Sequence, residues 1–271
     1  MDTIKGHLII IGGAEDKQGE CVILKQARQM LSDDECLTVL TTATENPVEV
    51  GNNYDAVFRR LGLQNIQILN INTRDDANDN GMCDILRGSQ CVFMTGGDQL
   101  RLTSILGGTV AYDTLKDMYY NGGLIMGTSA GASVISSTMV VQGVDNEPAR
   151  KCTLKMAAGL GLLENVIIDQ HFDQRGRFGR LLCGIAENPD MIGIGIDEDT
   201  AIKVYPDMHF EIIGTNAVTI IDGKTIKASN VSEQNQNEIL AIIGVTVHTL
   251  PTGYGFDLKS REVLRLKGES H

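Results

Sequence analysis

The fold of this chain is decided by residues 124–135, LIMGTSAGASVI. An apolar run is followed by the pattern Gly-x-Ser-x-Gly and then by small and apolar residues that are typical of a helix start. In this context the pattern predicts a sharp turn between strand and helix, which exposes the Ser129 hydroxyl and aims the Ala130 N–H at a developing oxyanion. The glycines are needed because such a turn leaves no room for β-carbons. We therefore interpret Ser129 as a candidate nucleophile; a plain turn of small residues is the alternative.

Similar apolar runs recur along the chain and predict strands that are buried on both faces, as in a parallel sheet. They cover residues 7–11, 37–42, 65–71, 91–95, 124–126, 166–169 and 191–196. Between them, residues 21–31, 48–61 and 175–186 space their apolar side chains by three and four, which predicts helices. This alternation favours an α/β fold with a doubly wound, mostly parallel sheet.

The chain beyond Thr200 has a different pattern. Short apolar runs at residues 201–204, 210–213, 217–221 and 240–249 are separated by turn signals, which predicts closely spaced, partly antiparallel C-terminal strands that extend the sheet. Since no Pro- or Ser-rich linker interrupts the chain, we expect a single domain over residues 1–271.

Composition argues against several classes of function. The 271 residues carry 23 Lys and Arg against 35 Asp and Glu, a net charge of −12, which argues against a nucleic-acid binder. The first apolar run is too short for a signal peptide or a membrane span, so we expect no membrane association and a cytoplasmic protein. Six cysteines without a C-x-x-C pair and a Gly12-Gly13 pair that does not complete a dinucleotide fingerprint predict no metal and no cofactor.

A serine nucleophile needs a base to take its proton. Of the five histidines, His171 alone directly follows a buried run of the parallel type, residues 166–169, so we expect it at the carboxyl ends of the strands. A carboxylate should orient its ring. Asp197, Glu198 and Asp199 all follow the run at 191–196, and the pattern does not choose among them.

The glycines that follow residues 91–95 form a second candidate element. Gly96 and Gly97 allow a bend that presents backbone N–H groups, and Gly97 can donate the second hydrogen bond to an oxyanion. A simple turn at the end of a strand is the alternative.

The segment after the candidate base is rich in arginine. Residues 171–180, HFDQRGRFGR, contain Arg175, Arg177 and Arg180 against one acid. Positive charge is unfavourable near a helix N-terminus unless an anion offsets it, and guanidinium groups bind carboxylates in a bidentate manner. We therefore predict a pocket for a substrate carboxylate; exposed arginines at a helix start are the alternative.

Taken together, these elements resemble the cyanophycinases, within a broader family of serine peptidases that includes dipeptidase E. The resemblance rests on six ordered blocks, residues 12–16, 95–99, 127–132, 169–172, 175–180 and 195–201. It implies a fold akin to class I glutamine amidotransferases, a homodimer, and no metal or cofactor. It also implies a serine exopeptidase that degrades cyanophycin, a bacterial nitrogen-storage polymer with a poly-aspartate backbone and arginine on each side-chain carboxyl, to β-Asp-Arg dipeptides.

The same resemblance implies roles for individual residues. Ser129 would be the nucleophile, His171 the base and Glu198 the orienting acid, with Gly97 and Ala130 as oxyanion donors. The substrate pocket would be lined by Gln99, Asp169, Gln170, Arg175, Arg177 and Arg180. Two alternatives stay open: an aspartyl dipeptidase of the dipeptidase E type, and a non-catalytic, amidotransferase-like binding protein.

Overall fold

The computed structural model describes residues 4–266, and both ends of the predicted single domain over residues 1–271 lie outside the described residues. The strands, in chain order, are β1 His7–Ile11, β2 Leu37–Leu40, β3 Ile66–Leu69, β4 Cys91–Met94, β5 Leu124–Thr128, β6 Thr138–Gln142, β7 Lys155–Ala158, β8 Val166–Gln170, β9 Ile192–Ile196, β10 Thr200–Val204, β11 His209–Gly214, β12 Ala217–Asp222, β13 Ala228–Ser229, β14 Ile242–Ile243, β15 Thr246–Pro251, β16 Tyr254–Asp257 and β17 Glu262–Arg265. The helices are α1 Lys25–Met30, α2 Pro47–Arg60, α3 Asn80–Arg87, α4 Gln99–Leu106, α5 Val110–Tyr120, α6 Ala130–Ser133 and α7 Phe178–Glu187.

The main sheet has nine strands in the order β17-β16-β11-β10-β1-β5-β4-β2-β3. Strands β1, β5, β4, β2 and β3 pair in parallel with one another, whereas β10, β11, β16 and β17 continue the sheet from β1 in antiparallel fashion. The predicted α/β fold, with parallel strands at its centre and antiparallel strands added by the C-terminal part, is confirmed.

Not all predicted strands join this sheet. Strands β8 and β9 pair in parallel with each other and form a second sheet in the order β15-β12-β9-β8. The prediction that the C-terminal strands extend one sheet is therefore correct for residues 201–204 and 210–213 but wrong for 217–221 and 240–249. Strands β12 and β15 lie in the second sheet, and β14 pairs with β13 in a separate two-stranded sheet. The physical reason is that an apolar run indicates burial on both faces without indicating which sheet buries it.

Two predicted helices begin later than their periodicity suggests. Cys21 takes a left-handed conformation with φ 48°, and residues 22–24 form a turn before α1 begins at Lys25. In the arginine-rich segment, the 3-10 turn Asp173–Arg175 ends at Gly176, whose φ of 58° interrupts the helix, so α7 begins at Phe178.

The core lies on both faces of the main sheet, because its central strands β1, β5, β4 and β2 are buried on both sides. Ile9, Val39 and Phe93 pack with α1 and α2 on one face, while Leu8 and Ile10 pack on the other face with α3 to α6 and the second sheet. The carboxyl ends of strands from two sheets therefore meet beside β5. Between residues 4 and 266, no helix combines the length and the apolar character that crossing a membrane requires.

Candidate active site

The turn between β5 and α6 is a strained elbow. Ser129 has φ 52° and ψ −111°, a conformation that L-residues rarely adopt, and its N–H donates a 3.1 Å hydrogen bond to the carbonyl of Ile11. A β-carbon on Gly127 would lie 2.2 Å from the carbonyl oxygen of Gly131, and one on Gly131 would lie 2.3 Å from that of Met94. Both glycines of the motif are therefore sterically required, as the pattern predicts.

His171 follows the last residue of β8, and its ring lies against the elbow. Its Nε2 is 3.0 Å from Ser129 Oγ, and its Nδ1 is 2.6 Å from Glu198 Oε1. The His171 side chain is only 12% exposed, and its backbone N–H donates to the carbonyl of Gly12 at 2.8 Å. Hydroxyl, imidazole and carboxylate thus form one hydrogen-bonded series, in which the imidazole can take a proton from the hydroxyl while the carboxylate stabilises the resulting charge.

The three consecutive carboxylates after β9 have different partners. Glu198 faces His171, whereas Asp197 accepts hydrogen bonds from two backbone N–H groups at 3.0 and 3.2 Å, and Asp199 accepts from the backbone N–H of Asp16 at 2.8 Å. Burial raises the pKa of Asp197 above its ordinary value. The two aspartates therefore hold loops together, and Glu198 is the carboxylate of this group that faces the candidate base.

Backbone donors lie on the other side of Ser129. A β-carbon on Gly96 would lie 3.4 Å from Ser129 Cβ, and one on Gly97, whose φ is 146°, would lie 2.1 Å from the carbonyl oxygen of Ala43. The N–H groups of Gly97 and Ala130 donate to no acceptor among residues 4–266. These groups are available to an external oxyanion, and their role as donors stays a prediction.

The electrostatic environment keeps the candidate base neutral. Burial lowers the pKa of His171 below its usual 6.5; Glu198 opposes this shift, and the positive charges of Arg175 and Arg177 add to it. A neutral imidazole is the form that can accept the serine proton. The ring is therefore ready to act as a base at neutral pH.

This shift predicts the pH dependence of turnover. Because a lowered pKa keeps the base unprotonated to lower pH, the acid limb of kcat/KM should lie below pH 6.5. Arg175→Gln removes a charge that lowers the pKa, so the limb should move to higher pH. Arg265→Gln, an exposed arginine on β17, serves as the control and should leave the limb in place. An acid limb that does not move, or that moves to lower pH, in Arg175→Gln would contradict the assignment of His171 as the base whose pKa Arg175 lowers.

The glycine pair after β1 contributes to the site in a way that sequence reasoning missed. Gly13 has φ 99°, and a β-carbon there would lie 2.3 Å from His171 Cε1 and 2.5 Å from Nε2. The imidazole therefore packs directly on the Gly13 backbone. In the sequence this pair fits only part of a nucleotide motif. It also belongs to the first block of the resemblance, residues 12–16, and that block was the available signal.

We predict that Gly13→Ala lowers kcat by about 100-fold or more, because the methyl group displaces the imidazole from Ser129. Gly253→Ala is the matched control: Gly253 has a similar φ of 90° but nothing within 4 Å of its added β-carbon. Both variants carry backbone strain, so both should lose thermal stability, and only Gly13→Ala should lose turnover. Equal kinetics for the two variants would reject the contact as functionally important.

The arginine-rich segment forms an internal ion network. Arg180 binds the buried Asp169 in bidentate fashion at 2.5 and 2.6 Å, and Arg177 contacts the same carboxylate at 3.4 Å. Both guanidinium groups also contact Asp145, at 3.0 and 3.2 Å. Sequence reasoning missed Asp145, because it lies about thirty residues earlier and no local motif marks it. The anions that offset these two arginines thus come from the chain itself.

The remaining predicted pocket residues differ in their environments. Arg175 is exposed and has no carboxylate partner among residues 4–266. Gln170 is buried and its side-chain oxygen accepts from Arg177 at 3.2 Å, whereas the Gln99 amide donates to the carbonyls of Val140 and Val141. The structure therefore brings Asp169, Gln170, Arg177 and Arg180 into one network beside His171 and leaves Arg175 available to a ligand.

The sequence of this chain is similar to those of known peptidases. The model of peptidase family S51 matches residues 8–213. Cyanophycinases from Synechococcus elongatus and Trichormus variabilis are each 35% identical, over 96% of this chain and 81% and 88% of the respective relative; the cyanophycinase of Geminocystis herdmanii is 31% identical over 96% of both chains.

Solved structures show the same fold. A crystal structure of a peptidase from an acI-B1 Actinobacterium has a TM-score of 0.68 at 21% identity, covering 95% of this chain and 98% of the other. A putative peptidase E protein from Listeria monocytogenes has a TM-score of 0.53 at 19% identity, covering 78% and 98%.

Proposed function

The chain belongs to peptidase family S51 and is a serine peptidase, and on this premise we propose that it degrades cyanophycin to β-Asp-Arg dipeptides through Ser129, His171 and Glu198. The observation that carries the mechanism is the hydrogen-bonded series from Ser129 Oγ to His171 at 3.0 Å and on to Glu198 at 2.6 Å. The similarity to cyanophycinases, at 31–35% identity over 96% of this chain, supports cyanophycin as the substrate.

In the proposed mechanism, Ser129 Oγ attacks the α-peptide carbonyl while His171 Nε2 accepts its proton. Glu198 stabilises the imidazolium, and the N–H groups of Gly97 and Ala130 bind the oxyanion. The imidazolium then protonates the leaving amine, which departs as the C–N bond breaks and leaves an acyl-enzyme on Ser129. Water, deprotonated by His171, hydrolyses this ester and regenerates the serine.

The charges around the site suit a substrate that carries both carboxylates and guanidinium groups. Arg175 is available for a substrate carboxylate. We propose that the network of Asp169, Gln170, Arg177 and Arg180 lines the substrate pocket beside Arg175. We propose that Gln99, whose amide donates to the carbonyls of Val140 and Val141, also lines this pocket. The net charge of −12 favours approach of the polymer's guanidinium groups.

The experiment that tests the proposal is mass spectrometry of the products formed from purified cyanophycin, with Asp-X dipeptides as a second substrate. Release of β-Asp-Arg supports the proposed activity. Hydrolysis of Asp-X dipeptides alone would identify an aspartyl dipeptidase instead, and turnover of neither substrate would favour a binding protein. Gel filtration with light scattering tests the homodimer, and cell fractionation tests the cytoplasmic location; both stay predictions.

A further inference from the structure

A buried carboxylate lies beneath the nucleophile elbow and is not explained by the proposed mechanism. Glu15 follows β1, and its side chain is 1% exposed. Its Oε2 accepts a 2.6 Å hydrogen bond from the hydroxyl of Thr128, the residue that precedes Ser129. Its Oε1 accepts from the Tyr54 hydroxyl at 2.5 Å and from Lys17 Nζ at 3.0 Å. Both oxygens of the Glu15 carboxylate therefore have donors, Oε2 from Thr128 and Oε1 from Tyr54 and Lys17.

Burial of such a carboxylate is costly, so its position requires a reason. Water solvates an ionised carboxylate strongly, and a buried one is tolerated only when donors replace that water. Here two hydroxyl groups and one ammonium group do so. An apolar side chain at this place would avoid the desolvation cost, but it would leave the Thr128 hydroxyl without its acceptor.

The contact with Thr128 lies next to a strained residue of the backbone, Ser129. Ser129 holds φ 52° and ψ −111°, and a strained conformation persists only when its surroundings determine it from several sides. The backbone of Ser129 is held by the carbonyl of Ile11. The side chain of Thr128 is held by Glu15, so two adjacent residues of the elbow are tied to β1 and to the loop that follows it.

The same loop also holds the base and its acid. Gly13 at φ 99° and Ala14 at φ 48° turn the chain so that Glu15 points inward. The carbonyl of Gly12 accepts the N–H of His171 at 2.8 Å, and that of Gly13 accepts the N–H of Asp199 at 2.9 Å. Residues 12–16 therefore contact all three segments that carry the hydroxyl, the imidazole and the carboxylate.

We infer that Glu15 is a positioning residue which, through the Thr128 hydroxyl, sets the position of Ser129 Oγ relative to His171. This inference rests on the proposed function of Ser129 as nucleophile. Loss of the contact lets the elbow relax away from the reactive geometry, and a shift of about 1 Å in a reacting group costs about 100-fold in rate. Substrate binding is not affected, because Glu15 is buried away from solvent.

The kinetic signature is a fall in kcat at constant KM. We expect Thr128→Val to lower kcat by about 10- to 100-fold, and Thr128→Ser, which keeps the hydroxyl, to restore most of it. Glu15→Gln keeps the shape but loses the charge and one acceptor, so its kcat should fall as well. Because both groups act through one hydrogen bond, Thr128→Val should cost much less in the Glu15→Gln background than in the wild type.

The test uses the full chain and two readouts. The first is kcat and KM for β-Asp-Arg release. The second is the rate at which a fluorophosphonate phosphonylates the same serine: Ser129 Oγ forms a bond to phosphorus, fluoride leaves, and the hydroxyl proton passes to His171. Thr38→Val is the matched control, because the Thr38 hydroxyl is equally buried and bonds Ser89 at 2.7 Å, away from the elbow. Both Thr→Val variants should lose stability, and only Thr128→Val should lose kcat and labelling rate.

The outcomes separate the two proposals. If Thr128→Val reacts as fast as wild type, or if Thr128→Ser is as slow as Thr128→Val, the positioning role is wrong while Ser129 stays the nucleophile. If the wild type neither reacts with the phosphonate nor releases dipeptides, the proposed function fails and the positioning role fails with it.

Discussion

Ser129→Ala should lower kcat for dipeptide release by about 10⁵- to 10⁶-fold, the largest effect we expect from any single substitution in this protein. The proposed acyl-enzyme cannot form without the hydroxyl, and no other hydroxyl contacts His171 Nε2 among the described residues. The fold should persist, since the backbone bond from residue 129 to Ile11 does not involve the side chain and alanine is tolerated at this φ about as well as serine. The measurement is the rate of β-Asp-Arg release, followed by mass spectrometry.

A matched serine variant shows whether the loss is specific. Ser260 lies exposed in the turn between β16 and β17, and Ser260→Ala should keep wild-type turnover. Circular dichroism should report the same fold for both variants. A Ser129→Ala protein that keeps more than about 1% of wild-type turnover would overturn the assignment of the nucleophile.

The elements that could be predicted from the sequence are those encoded by neighbouring residues. The elbow around Ser129 could be predicted because the residues that form it, Gly127 to Gly131, are consecutive in the sequence. His171 was found for a similar reason, since its position after a buried run can be read from adjacent residues. In both cases the predicted location at the end of a strand agrees with the structure.

The elements that could not be predicted depend on distant parts of the chain. Which carboxylate faces His171 is set by how β9 pairs with β8 in the second sheet, and the apolar pattern of these strands contains no information on that pairing. The sequence predicts that Arg177 and Arg180 bind a substrate carboxylate, and it could not show their partners within the chain, because Asp145 lies far away in sequence and Asp169 sits within a predicted strand. Local charge counts omit such partners.

The two sheets explain why the site depends on long-range packing. Ser129 is carried by the main sheet, whereas His171 and Glu198 follow strands of the second sheet. The distance between Ser129 and His171 is therefore set by the packing of the two sheets against each other. The loop after β1 crosses this junction, and its hydrogen bonds to residues 128, 171 and 199 keep the two halves of the site in register.

Glu198→Gln should lower kcat by about 10³- to 10⁴-fold without removing the nucleophile or the base. The carboxylate accepts the Nδ1–H of His171, which leaves the Nε2 lone pair facing Ser129 Oγ. The glutamine amide can instead donate to Nδ1. The ring proton then sits on Nε2, and Nε2 can no longer accept the serine proton.

The lost charge also changes the pH dependence. Glu198 raises the pKa of His171, so its replacement by glutamine lowers this pKa further. We therefore expect the acid limb of kcat/KM to move to lower pH, as a pH–rate profile can measure.

Asp197→Asn is the control that separates this role from a structural one. The two carboxylate oxygens of Asp197 each accept a hydrogen bond from a backbone N–H group. An asparagine amide has only one oxygen, and its NH2 group would face the second N–H donor. This variant should therefore lose thermal stability. Its kcat should stay within about tenfold of wild type, because the Nδ1 partner of His171 is unchanged. If Asp197→Asn instead lost turnover as severely as Glu198→Gln, with the same shift of the acid limb, the carboxylate that orients the base would have to be reassigned to Asp197.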